Sequence, residues 1–101
     1  MRMLMHVHMP IEPFNDMVRN GTAGPMLQAI LADIKPEATY FTSAGGSRGG
    51  ILVVDVNEPA DIPRLAEPFF LAFEADVEFE PCMSPEDLGR ADLDALGQKW
   101  G

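Results

Sequence analysis

The order in which the apolar residues change their spacing constrains the fold of this chain more than any single motif does. Residues 2–9, Arg-Met-Leu-Met-His-Val-His-Met, alternate and stop at Pro10, which predicts a strand. Residues 11–35 have helical spacing, interrupted by the glycine- and proline-containing segment NGTAGP. The segments ATYFTS and ILVVDV then predict two strands, joined by the flexible loop AGGSRGG.

The second half of the chain repeats the alternation of helix and strand. Apolar residues at helical spacing follow Asp61, which is placed to cap this predicted helix. The segment EADVEFEP alternates as a strand, and Ser84 and Pro85 begin a short final helix. This order predicts a single domain over residues 1–101 with a ferredoxin-like βαββαβ fold of the α+β class. Its helices cover one face of a four-stranded antiparallel sheet.

The other face of such a sheet is left open, and a chain of 101 residues has a small core of its own. We therefore expect two copies to pair their sheets and close a dimeric α/β barrel around a cavity. In that arrangement Leu4, Ile51 and Val53 are buried between the two copies. A monomer with a polar open face is the alternative.

The charge balance limits the classes of partner. Sixteen acidic and seven basic residues give a net charge of −9, which repels phosphate backbones and anionic lipid. We therefore expect neither nucleic acid nor a membrane as a partner, and no apolar run approaches the ~20 residues of a membrane span. The single cysteine, Cys82, cannot form an internal disulfide, which is typical of a cytoplasmic protein.

The two histidines of the chain, His6 and His8, lie one residue apart in the first strand. Side chains alternate between faces along a strand, so both histidines point to the open face and the neighbouring methionines point to the helices. Three interpretations remain: solvated or interface histidines, metal ligands, or acid–base groups. Two histidines on one strand provide only half of a typical zinc site, so we expect no metal and no cofactor.

The fourth strand adds carboxylates beside the histidines. Antiparallel pairing with the first strand sets Glu78 beside His6 and Asp76 beside His8, at ~5 Å between Cβ atoms. A carboxylate favours the charged imidazolium and fixes its tautomer, as in general acid–base sites. His6, His8 and Glu78 are therefore the predicted catalytic residues. The alternative is that acidic residues on an edge strand only prevent aggregation.

Four further residues are predicted to contact a ligand. Arg48 lies in the glycine-rich loop, which either closes as a lid and brings the guanidinium to a ligand carboxylate or is only a mobile hairpin. Asp76 extends the acidic row on the fourth strand. Tyr40 either points into the cavity or packs in the protein. Asp55 either adds a polar group to the open face or marks the end of its strand.

Four segments, MLMHVHM, ILVVDV, EPFFLAF and VEFEPCMSPED, resemble the dimeric α/β-barrel superfamily, with the greatest similarity to muconolactone isomerases and their relatives. The resemblance implies a homodimer or larger oligomer and a cavity for a small organic acid or aromatic molecule. NGTAGP and AGGSRGG have no counterpart in that family. Two functions follow: an isomerase or other proton-transfer enzyme, or a non-catalytic ligand-binding or assembly module with a packed interface between sheets.

Overall fold

The structure, a computed structural model, describes residues 1–101 and contains one four-stranded sheet. Its strands are β1 (Arg2–Met9), β2 (Ala38–Thr42), β3 (Arg48–Asp55) and β4 (Asp76–Pro81). They are arranged in the order β2-β3-β1-β4, and every neighbouring pair is antiparallel. With helices packed against this sheet, the chain has the predicted ferredoxin-like α+β fold.

The helices lie between and after the strands. The first crossover is formed by α1 (Ile11–Arg19) and α2 (Ala23–Ile34), and the second by α3 (Asp61–Phe73). After the last strand come α4 (Pro85–Arg90) and α5 (Leu93–Trp100). None of these helices is both long and apolar enough to cross a membrane.

The core lies between the sheet and the first three helices. On β1, Met5 is fully buried, and Met3, Val7 and Met9 are at most 8% exposed. Phe73 of α3 and Leu52 of β3 pack in the same cluster. Flexible methionine side chains fill the irregular space between the sheet and the helices. The alternation of residues 2–9 therefore predicted correctly which face of β1 is covered.

The NGTAGP segment divides the first crossover into two helices, because α1 ends at Arg19 and α2 begins at Ala23. Gly21, with a φ of +79°, makes the turn between them. Pro68 lies inside a continuous α3. Asp61 does not cap α3 as predicted. Its carboxylate accepts from the backbone N–H of Asn57 at 2.9 Å and so holds the preceding turn.

The C-terminal arm, α4 and α5, projects from the sheet and its helices. Ser84 caps α4 as predicted, since its hydroxyl accepts from the N–H of Asp87 and the Asp87 carboxylate accepts from the N–H of Ser84. The sequence predicted one short helix here, whereas Asp92 begins a second one, α5, whose residues are all exposed. The arm explains a radius of gyration of 17.1 Å, where a compact chain of this length has about 13 Å.

Candidate active site

The strand register fixes which side chains share the open face of the sheet. Residues that pair directly across strands point to the same side, so each set of partners forms a row across the face. The three rows are Ala38, Val53, Leu4 and Glu80; Tyr40, Ile51, His6 and Glu78; and Thr42, Gly49, His8 and Asp76. The face is apolar on the β2 and β3 side and acidic along β4, with both histidines between these two parts.

His6 is opposite Glu78 in the register, as predicted, but its hydrogen bond goes to a different carboxylate. The Nε2 atom of His6 lies 3.0 Å from Oε1 of Glu80, which is two residues further along β4. This diagonal contact is within reach because Glu78 and Glu80 lie on the same face of the strand. Glu80 therefore takes the orienting position that the sequence assigned to Glu78, and Glu78 remains beside His6 without a hydrogen bond to it.

His8 contacts one side chain at each of its two ring nitrogens. The Nε2 atom is hydrogen-bonded to the hydroxyl of Ser47, and the Nδ1 atom lies 3.8 Å from Oδ2 of Asp76. Asp76 is the register partner of His8, as predicted, but it stands slightly beyond hydrogen-bond distance. The Asp76 side chain is 89% exposed, so it is free to move towards the ring.

A cleft of about 240 Å³ lies above the histidine-bearing rows. It is open to solvent on the isolated chain, and both histidines, Asp76 and Glu78 form one side of it. The other side is formed by small residues of the β2–β3 hairpin, namely Thr42, Ala44, Gly49 and Gly50. A Cβ atom added at Gly49 would meet the carbonyl oxygen of Val7 at 2.9 Å. Gly49 therefore allows β3 to approach β1 closely beside His8.

Tyr40 lies on the open face, in the same row as Ile51 and His6, and the residue is 68% exposed. The alternation within β2 alone did not decide its side, whereas the pairing with β3 does. Tyr40 is separated from His6 by the intervening Ile51, so it borders the histidines without contacting them through the register. It belongs to the apolar half of the face, together with Leu4 and Val53.

Arg48 occupies a different position from the predicted lid. The strand β3 begins at Arg48, so the flexible segment is shorter than AGGSRGG and ends at Ser47. Arg48 pairs with Met9 and therefore points to the helix-covered face, where its guanidinium carbon lies 4.6 Å from the ring centroid of Phe14. The guanidinium is thus on the opposite side of the sheet from the histidines and does not reach a ligand bound beside them.

Asp55 shares the open face but lies at its far end. It pairs with Arg2, which is four residues from His6 along β1, or about 13 Å. Its carboxylate accepts a hydrogen bond from the amino group of Met1 at 3.0 Å. Arg2 in turn donates to Glu37 at 2.8 Å, and this hydrogen bond raises the pKa of Arg2 above its usual range. Asp55 therefore belongs to a separate polar group at the strand ends.

Two residues of this site, Glu80 and Ser47, were not among the predicted site residues. The alternation of EADVEFEP puts Glu80 on the same face as Asp76 and Glu78, so it also allows a diagonal contact between Glu80 and His6. Ser47 had a weaker signal, since the pentapeptide Gly45–Gly49 has the spacing G-x-S-x-G of serine-nucleophile turns. In those turns a helix follows the serine, whereas here β3 follows it.

The structure contains no group of three or more His, Cys, Asp and Glu side chains placed to hold one metal ion. His6 and His8 instead have separate neighbours, since His6 contacts Glu80 and His8 contacts Ser47 and Asp76. The expectation that the site works without a metal stays a prediction.

Comparison with known proteins identifies a relative in fold but none in sequence. No protein-family model matches the chain, and no curated protein matches it in sequence. Among solved structures, it is similar to 5-chloro-2-hydroxyhydroquinone dehydrochlorinase from Burkholderia phenoliruptrix, whose structure is a complex with 2,5-dihydroxybenzoquinone. The TM-score is 0.62 at 17% sequence identity, over 85% of this chain and 97% of the other. At this low sequence identity, the similarity shows a shared fold alone.

Proposed function

We propose that this chain binds a small aromatic or organic acid above the open face of the sheet, and that His6 and His8 move protons to and from it. The observation that carries the proposal is one cleft in which each histidine has a carboxylate neighbour. Histidine exchanges protons near neutral pH, and a carboxylate stabilises the imidazolium that forms when it takes one. An isomerisation by proton transfer needs such a pair of groups.

The charge of the cleft favours one of the two ligand classes. Asp76 and Glu78 line the cleft, and Glu80 follows them on the same face of β4. Arg48, the cation predicted to bind a ligand, faces the other side of the sheet. A ligand carboxylate would therefore be repelled unless an imidazolium compensated it. A neutral or hydroxylated ring fits better, since it can donate a hydrogen bond to a carboxylate or an imidazole. The dehydrochlorinase of similar fold is bound to 2,5-dihydroxybenzoquinone, which matches this ligand class in size and ring type.

The proposal includes pairing of two sheets, because the cleft on the isolated chain is open. The side chain of His8 is 52% exposed and that of His6 is 40% exposed. A second sheet over this face would exclude water and strengthen the histidine–carboxylate interactions. The half-exposed Leu4, Ile51 and Val53 would supply the apolar contact for that pairing.

The same apolar residues favour a second function, a non-catalytic module whose sheets pack tightly together. In that case the open face is an assembly interface, and the histidines lie at its border. The two functions differ in whether a ligand-sized space remains when two copies associate.

Two measurements test the proposal. The first is an NMR titration with hydroquinone, an uncharged hydroxylated ring, in which we expect the ring signals of His6 and His8 to move while the methyl signals of Leu71, on α3, do not. The second is deuterium incorporation from D2O into α-angelica lactone, an uncharged small lactone with exchangeable protons on carbon. We expect His6→Gln or His8→Gln to slow that exchange about 100-fold, and Glu67→Gln, a matched change on the exposed side of α3, to leave it unchanged. No movement of either histidine and no exchange would favour the packed module.

A further inference from the structure

Ser47 and His8 form a contact that proton transfer to a ligand does not require. The Ser47 hydroxyl is hydrogen-bonded to Nε2 of His8, and Asp76 faces Nδ1 of the same ring at 3.8 Å. A hydroxyl on one ring nitrogen and a carboxylate at the other is the arrangement of a nucleophilic serine, its general base and the orienting acid. The contacts come from β1, β4 and the β2–β3 hairpin, so they depend on the tertiary fold.

We propose that Ser47 is a nucleophile and that the cleft hydrolyses small, uncharged esters through an acyl-serine. This inference uses the cleft of the proposed function but does not depend on proton transfer to a ligand carbon. In it, His8 is the general base for Ser47, and the substrate is an ester of a small acyl group.

The local backbone explains how Ser47 comes to lie on His8. Gly45 and Gly46 have φ angles of +74° and +80°, a left-handed conformation that other residues adopt with strain. These two residues turn the chain back so that Ser47 enters β3 beside the end of β1. The cleft borders His8, and the Ser47 hydroxyl lies on Nε2 of that ring. An acyl group can therefore approach the hydroxyl from the cleft.

The reaction balances with water as its only co-reactant. The Ser47 oxygen bonds to the acyl carbon while its proton passes to Nε2 of His8. The bond to the leaving alcohol then breaks, and that alcohol takes the proton from Nε2. Water attacks the acyl-serine by the same route, releasing the acid and returning the proton to Ser47. Asp76 stabilises the imidazolium in both halves by moving towards Nδ1, since such contacts often tighten only when substrate is bound.

The acidic surroundings select the substrate charge. Asp76 and Glu78 line the cleft, so an anionic ester is disfavoured. A cleft of about 240 Å³ accepts a small acyl group with one aromatic leaving group. The probe p-nitrophenyl acetate has these properties, and its product is measured directly by absorbance.

The deciding experiment is covalent labelling of the full chain with a fluorophosphonate, followed by intact-mass and peptide mass spectrometry. We expect one label per chain, on Ser47. Ser47→Ala should lose the label, while Ser43→Ala, a matched change in the same hairpin, should keep it. His8→Gln should slow labelling about 100-fold or more, because the serine then has no general base. Hydrolysis of p-nitrophenyl acetate should follow the same order.

Absence of label on the wild-type chain would overturn the proposal, as would equal labelling of Ser47→Ala and Ser43→Ala. Circular dichroism of each variant shows whether a loss of label reflects unfolding. If Ser47→Ala unfolds, the peptide map of the wild-type chain still decides whether Ser47 carries the label. The reagent reacts with a serine and involves no exchange at carbon. Absence of label therefore contradicts only the serine proposal, and absence of deuterium exchange contradicts only the proposal of proton transfer to a ligand.

Discussion

The two faces of the sheet are built from alternate residues of the same strands, yet their environments differ. On β1, Met3, Met5, Val7 and Met9 are at most 8% exposed, whereas the side chains of His6 and His8 are 40% and 52% exposed. The covered face excludes water and supplies the hydrophobic free energy of folding. The open face contributes little of this energy, so its residues can be selected for contacts with other molecules. Because successive side chains point to opposite faces, the residues of β1 that stabilise the fold alternate with those that are candidates for chemistry.

The largest difference should appear when neighbouring residues of β1 are truncated. We expect Met5→Ala to lower the free energy of unfolding by about 2–5 kcal/mol, because it leaves a cavity in the core. His6→Ala, one residue away on the open face, should change it by less than about 1 kcal/mol. Urea unfolding at one fixed protein concentration measures both. Equal losses would mean that the open face is as important to stability as the core.

The second comparison asks whether the open face is covered by another copy. At micromolar concentration we expect sedimentation equilibrium to show a dimer or larger oligomer. Val53→Glu should weaken its association by about 3 kcal/mol, or more than a hundredfold, because it buries a carboxylate without a partner. Leu71→Glu, on an α3 residue that is 80% exposed, is the matched control and should leave association unchanged. If the wild-type chain is a monomer at this concentration, the proposed pairing of two sheets into a barrel is wrong.

The third comparison lies within the open face and concerns the two glutamates beside His6. Glu80→Gln should move the ring ¹⁵N signals of His6 more than Glu78→Gln does, because the hydrogen bond at 3.0 Å is made by Glu80. Each change should alter stability by less than about 1 kcal/mol, since both glutamates are exposed. A larger response to Glu78→Gln would show that the register partner, not the diagonal neighbour, orients His6.

The smallest effect is expected in α4, which lies outside the core and is held at its start by local contacts. Hydrogen bonds from the backbone N–H and the hydroxyl of Ser84, with the charge of Arg90, lower the pKa of Asp87 below its usual range. Because the pKa of Asp87 is lowered in the folded chain, its ionised carboxylate stabilises the folded form at every pH above the usual aspartate pKa. This stabilisation is lost as the pH falls through the lowered pKa of Asp87. The amide signals of Ser84 should report the loss.

Asp87→Asn should abolish this pH dependence of the Ser84 amide. Signals from Met5 and Leu52, in the covered core, should stay constant over the same pH range while α4 loosens. A Ser84 midpoint at the usual aspartate value would contradict the lowered pKa of Asp87.

The order of helical and alternating spacing along the chain was sufficient to predict the fold, and the alternation of β1 predicted the covered face and the side on which both histidines lie. These patterns are local, since side-chain direction within a strand follows from backbone geometry alone. The register of His6 with Glu78 and of His8 with Asp76 also followed, because both strands are short and antiparallel. Those pairings are present in the sheet.

The remaining features required the tertiary structure, because they depend on contacts between distant segments. Arg48 was predicted in a loop, but its pairing with Met9 turned it to the helix-covered face. Glu80 rather than Glu78 bonds to His6, since side-chain reach along a diagonal is not encoded by strand alternation. Ser47 meets His8 only because two glycines turn the hairpin back over β1. The sequence thus determined the two faces of the sheet, and the packing of strands and hairpin decided which side chains touch.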